Sequence, residues 1–307
     1  MTSSPFGDRT VAGLEAELGS AHLGEPPSTS PARRFFRRLA RNRGAVIGAG
    51  IVVFMVAVAL SAPLIAPHDP NELFVAHRLE GPSRQFPLGT DNLGRDMLSR
   101  LIYGARPSIG SAVMATIIII TIGITVGAWV GYVGGIVDDI AMRIVDILLA
   151  FPNLILALAV VGILGPGLRN MLVAMTFAVW AGYARLVRGI VLELRERPFV
   201  RASLALGGGR LHIISRHILP NIISPVIVLA SLQMGYLILS IAGLSFLGLG
   251  IQPPIAEWGA MLNAGRNFFQ FAPGQMIYPG VAISITVLGF NMLGDGLRDI
   301  LDPRHVS

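Results

Sequence analysis

From Glu196 to Asn221 the chain reads ERPFVRASLALGGGRLHIISRHILPN, the longest charged interruption between two strongly apolar runs. It is not composed like a flexible linker. Pro198 suits a first helical turn, where its missing N–H is no loss, and Val200, Leu204 and Leu206 follow as a short apolar pattern. Gly207, Gly208 and Gly209 then end that helix, because glycine readily enters the left-handed conformation required just past a helix C-cap. Leu211, Ile214 and Ile218 recur at helical spacing and predict a second short helix. Pro220 is expected to close it, with Asn221 capping whatever follows. The stretch therefore predicts a helix, a glycine elbow and a helix between two membrane spans. Such an elbow is built to be held by another protein; the alternative is an ordinary amphipathic loop.

Composition sets the class. Of 307 residues, 53% are hydrophobic and only 14% charged, where soluble domains carry about a quarter. This predicts an all-α integral membrane protein. With no cysteine there is no disulfide framework, thiolate metal site or cysteine nucleophile. All 24 basic residues are arginine, which excludes a P-loop and its phosphate-binding lysine, so any ATP that drives this protein is bound by another chain. The net charge of +6 marks the positive-inside rule beside apolar spans rather than nucleic acid.

Residues 1–30, rich in Ser, Pro, Gly and Glu, predict a disordered cytosolic tail. Arg33, Arg34, Arg37, Arg38, Arg41 and Arg43 precede an apolar run from Gly44 to about Ala66. A twin-arginine export signal begins similarly, but this run is long enough to span and more spans follow, so an uncleaved first helix is expected. Five further apolar runs fall near 107–133, 145–165, 170–190, 222–248 and 278–297. Six helices from a cytosolic start put both termini inside, with 134–144 and 191–221 also cytosolic. The arginines up to Arg43 and those from Arg185 to Arg216 then lie on that side, as the positive-inside rule requires.

Within the spans, Gly123, Gly127 and Gly131 recur every four residues, as do Ala174, Ala178 and Gly182, a spacing that lets helix backbones approach closely in lipid. Pro152 and Pro225 predict kinks or lost helix hydrogen bonds. Asp146 is expected to pair with Arg143 near a span end. Gln233 and Asn291 are candidates to line a channel, or else they bridge two helices. The six histidines form no ligand-like pattern, so no metal site is expected. No nucleophile triad or carboxylate pair can be assembled at depth, so no enzyme activity is expected.

Two remaining segments carry dense motifs. Residues 87–100 read PLGTDNLGRDMLSR, a motif that includes Gly94: Gly89, Thr90 and Asp91 predict a turn and helix start, after which Arg95, Asp96 and Arg100 cover a short amphipathic helix leading to the second span. Residues 244–250 read LSFLGLG and end a span, and Gln252, Pro253 and Pro254 force an extended exit. Glu257 follows, with Trp258 placed for the membrane interface. The chain closes with GDGLRD at 294–299 and Asp302, Pro303 and Arg304.

Together, GTDxxGRD, SFLGLGxQPP and GDGLRDxLDPR resemble the C-type permease subunit of the dipeptide/oligopeptide/nickel ABC-importer family, from about Arg33 to Arg304. The opening stretch resembles that family's EAA loop through Ala202, Ser203, Gly207, Leu219 and Pro220. It departs at Arg201, where the family has glutamate, at Ser203, its second alanine, and at His217, its isoleucine.

The resemblance implies a six-helix type I permease bundle, half of a translocation channel in a bacterial or archaeal cytoplasmic membrane. It implies 31–106 as the arginine-rich segment, first span and extracytoplasmic loop. The permease core would cover 107–298, with a cytosolic coupling loop at 191–221, and 299–307 would be a cytosolic tail. Implied partners are a related B-type permease, two ATPase subunits that bind ATP and Mg, and an extracytoplasmic solute-binding protein facing 67–106 and 249–277. No cofactor is implied on this chain. Peptides are the implied cargo, with nickel or another small solute as alternatives. A secondary transporter would call for inverted repeats and intramembrane carboxylates, and neither is present.

Overall fold

In a computed structural model, residues 37 and 39–301 are described. The expected tail at 1–30, the first arginines and the end of the chain from Asp302 lie outside these residues. Ten helices organise the described part: α1 (Arg43–Ile65), α2 (Met97–Val133), α3 (Gly135–Leu149), α4 (Asn153–Leu164), α5 (Leu168–Leu194), α6 (Pro198–Ala205), α7 (Arg210–Ile213), α8 (Leu219–Phe246), α9 (Trp258–Gly265) and α10 (Gly274–Leu301). Five helical stretches are long and apolar enough to cross a membrane: α1, α2, α5, α10, and α7 running on into α8. The bent pair α3–α4 makes a sixth if counted as one span.

That pair corrects the expected straight span at 145–165. α3 and α4 meet at 91°, because Pro152 cannot continue a helix and its ψ of 127° turns the chain outward. With 12 residues, α4 is only about 18 Å long, short of a ~30 Å hydrocarbon core. Residues 134–144, expected as a cytosolic segment between two spans, are mostly α3. Pro225, by contrast, sits inside α8 without ending it.

The core is built on α2 against α5. A Cβ added at Gly127 would lie 2.5 Å from the Ala184 carbonyl oxygen, and one at Gly123 would strike Tyr183. Ala174 and Ala178 are fully buried, whereas Gly182 has open space around it and makes no close approach. α10 packs on both α8 and α1. Asn42 caps α1 through Oδ1 on the Ala45 N–H (3.0 Å), and its Nδ2 donates to Asp299 (3.2 Å), tying the start of α1 to the end of α10. Near the other end of α1, Pro63 has no N–H to give the Ala59 carbonyl. Arg106 of α2 supplies one instead, donating from Nε at 2.6 Å.

Asp146 pairs with Arg185 rather than with Arg143, and Arg188 grips Asp138 in a bidentate pair at 2.5 Å. Both pairs fasten α3 to α5. The i,i+3 neighbour lost because the 91° bend leaves α3 lying alongside α5, whose arginines point at its acidic face.

Candidate functional site

The elbow forms as its residues dictate. Pro198 occupies the first turn of α6, and Val200 is buried, seating the helix on the bundle. Past the cap at Leu206, Gly207 takes φ +83°, and the N–H groups of Gly207 and Gly208 return to the carbonyls of Leu204 (3.0 Å) and Ser203 (2.9 Å). These bonds satisfy carbonyls that the ending helix leaves free.

The second helix is not closed by Pro220. One α-helical turn, Arg210–Ile213, passes through a π turn at Ile214–Ile218 and continues into α8. The wider turn absorbs the missing proline donor, one of the adjustments by which helices tolerate proline. Asn221 does not cap α8; its Nδ2 donates to the His217 carbonyl at 2.6 Å.

The structure brings His217 to α6, its ring 6.0 Å from both Phe199 and His212. Ala202 and Ala205 lie exposed on α6, Ser203 is half-buried beside Gly208, and Leu219 and Pro220 sit at the start of α8. Arg201 pairs within the chain, with Glu196, and its hydrogen bond holds that carboxyl below the usual range. Around the turn, Leu206 is 89% and Leu211 73% exposed, with Phe199 and Leu204 also open. Four large apolar side chains thus crowd an otherwise charged loop.

The far ends of α2, α5 and α8 hold the other motifs. Here GTDxxGRD folds as a knot rather than covering an exposed helix. Asp96 caps α2, accepting from the Ser99 N–H (2.8 Å) and hydroxyl (2.5 Å). Asp91 accepts from the Leu93 and Arg95 N–H groups (2.8 and 2.9 Å) and from Arg95 Nε (2.7 Å). Arg100 reaches the Pro70 carbonyl at 2.9 Å. Thr90 accepts from the Glu80 N–H at 3.0 Å and donates to the His77 carbonyl. Gly89 and Gly94 have positive φ, and a Cβ on Gly94 would meet the Phe74 carbonyl. Buried charges are tolerable when paired and hydrogen-bonded, so Asp91, Arg95 and Asp96 are buried as a set.

Trp258 is not at a lipid interface. It is 1% exposed, seated against Gly104, with Nε1 donating to the Leu101 carbonyl at 2.9 Å. Beside it Glu257, which sequence reasoning passed over, is fully buried and caps α9. Its carboxylate accepts from the N–H groups of Gly259 (2.9 Å) and Ala260 (2.8 Å) and from the Ser108 hydroxyl (3.1 Å). Burial pushes the Glu257 carboxyl above its usual range, against the pull of those donors. The available signal was an acidic residue one place before a short apolar helix. Gln252 folds back, donating to the carbonyls of Gly248 (3.0 Å) and Gly250 (2.9 Å), with Pro253 and Pro254 exposed beside it. Of the two channel candidates, Gln233 is half-buried on α8, and Asn291 of α10 is exposed with its side chain against Gly235. Among the described residues, no three His, Asp or Glu side chains gather as a metal shell.

Residues 123–306 match the family model described as binding-protein-dependent transport system inner membrane component. Residues 30–82 match the N-terminal TM domain of oligopeptide transport permease C. A dipeptide transport system permease protein of Alkalihalophilus pseudofirmus is 44% identical, over 91% of this chain and 92% of its own length. A glutathione transport system permease protein of Pectobacterium atrosepticum is also 44% identical, over 91% and 93%. A nickel transport system permease protein of Escherichia coli is 42% identical, over 84% and 93%. The chain belongs to the family of inner-membrane components of binding-protein-dependent transport systems.

Proposed function

We propose that this permease subunit forms half of a peptide-conducting channel and that its elbow is the coupling point for an ATPase. The observation that carries the second statement is a rigid eight-residue helix, ended by a left-handed glycine, with Phe199, Leu204, Leu206 and Leu211 exposed around it. Apolar side chains held on a short helix fit a hydrophobic groove on a partner protein. Arg201, Ala202, Ser203, Gly207 and His217 would form the contact, with Leu219 and Pro220 fixing its angle to α8. The subunit would pair with a B-type permease and two ATPases that bind ATP and Mg. Its Gly89–Asp96 and Gln252–Trp258 segments would stand on the extracytoplasmic face beside a solute-binding protein. Gln233 and Asn291 would face the conduit. The elbow and both termini would be cytosolic, in a bacterial or archaeal membrane.

Peptides are the proposed cargo because two of the relatives above are a dipeptide and a glutathione permease. Uptake of a labelled dipeptide by vesicles holding the complete importer tests this, with ATP inside. Competition by nickel, and none by dipeptides, would move the cargo to metal ion, the second reading suggested by the nickel relative.

A further inference from the structure

Between the elbow and the ends of α2 and α5 lies a cavity of about 330 Å³, lined among others by Tyr132, Val133, Arg195, Glu196, Arg201 and Arg210. α2 ends at Val133 and α5 at Leu194, and both are long and apolar enough to cross a membrane. The cavity therefore lies beside the ends of two helices that are apolar enough to span, on the side where they would leave the membrane. Three guanidiniums face one carboxylate there. Arg195 and Arg201 both bond to Glu196, Arg195 at 3.3 Å, while Arg210 has no ion-pair partner among the described residues. The notch is left with a surplus of positive charge. Guanidinium forks match phosphate oxygens in geometry as well as charge. Val200 and Leu204 complete an apolar wall with Val133, which suits a ligand carrying carbon next to its phosphate better than a bare anion.

We propose that this notch binds the phosphate-bearing headgroup of an anionic phospholipid, with Arg195 and Arg210 as its principal contacts. Because Arg201 and Leu204 belong to α6, a lipid seated there would brace the elbow against α2. The site stands whether or not the elbow docks on an ATPase, and its test reads lipid binding rather than transport.

The purified full chain in neutral detergent would be titrated with phosphatidylglycerol, phosphatidylcholine and inorganic phosphate, with bound species counted by native mass spectrometry. Phosphatidylglycerol should bind at least about tenfold more tightly than phosphatidylcholine, given roughly fivefold per arginine near an anionic headgroup. Arg195→Gln with Arg210→Gln should weaken phosphatidylglycerol by about thirtyfold. Arg195→Lys with Arg210→Lys, which keeps the charge, should return it to within about fivefold of the native chain. Equal binding of the two lipids, phosphatidylglycerol binding untouched by the glutamine pair, or equal loss in the lysine pair would overturn the proposal. Displacement of phosphatidylglycerol by equimolar inorganic phosphate would assign the notch to a free anion and overturn the lipid.

Discussion

At Gly207 the backbone holds φ +83° with nothing within 4 Å of where a Cβ would sit, so a substitution there meets no clash and is penalised by backbone conformation alone. A non-glycine residue in the left-handed region costs about 1–2 kcal/mol, more for a β-branched one and less for asparagine. Gly207→Val should therefore leave insertion and subunit pairing intact while the ATPase is lost from the purified complex or its hydrolysis uncouples from uptake. Gly207→Asn should keep most uptake. Normal transport by the valine variant with its ATPase retained would reduce the elbow to a loop.

Glu257 poses the opposite case, a side chain whose removal leaves partners behind. Glu257→Ala would strand the Gly259 and Ala260 N–H groups and the Ser108 hydroxyl, at about 1–3 kcal/mol for each buried group left without a partner. Its melting midpoint in detergent should fall by several degrees. Glu257→Gln keeps the shape and removes the titration. A carboxyl whose folded pKa is raised stabilises most below its unfolded value, ~4.3, and that contribution is lost as pH rises through the folded value. The native chain's advantage over Glu257→Gln should thus shrink from pH 4 to pH 7. A widening gap would show that the ionised carboxylate is the stabilising form.

Among elements, α2 and α5 depend on small residues at only some of the positions that look alike in sequence. Gly127→Ala would press a Cβ to 2.5 Å from the Ala184 carbonyl oxygen, and overpacking of this kind costs about 1–3 kcal/mol. Gly182→Ala meets nothing within 4 Å and should be neutral or slightly stabilising, since glycine in a helix interior is weaker than alanine by about 0.5–1 kcal/mol. Thermal unfolding of the two variants in one detergent separates them. Equal destabilisation would mean that helix flexibility, not close approach, selects these glycines.

For the whole molecule, α2 sets the distance between the elbow and the opposite-end scaffold. Its 37 residues give about 55 Å at 1.5 Å per residue, more than a bilayer's ~40–45 Å with headgroups. A helix of that length that crosses the bilayer puts its two ends on opposite sides of the membrane. The native chain has no cysteine, so single cysteines report sidedness without background. Cysteine at Ser203 should react with an impermeant maleimide only in inside-out vesicles, and cysteine at Gln252 only in intact cells. Labelling of both from the same side would sink this topology.

Apolar run length and arginine placement were enough to identify a helical membrane protein, because a span must bury its own backbone hydrogen bonds and its charges must stay at the ends. The elbow was equally legible, since Pro198 and Gly207 act on φ locally and need no distant partner. Tertiary contacts decided the rest. Pro152 stands between two helices, with ψ 127°, while Pro225 rides inside α8, a difference that residue type alone does not carry. Pro220 joins α7 to α8 through a π turn that no local rule demanded. Trp258 looks like an interface residue in sequence, and Glu257 carries no sequence reading, yet both are buried, because Gly104 and Ser108 of α2, about 150 positions earlier in the chain, make room for the ring and donate to the carboxylate.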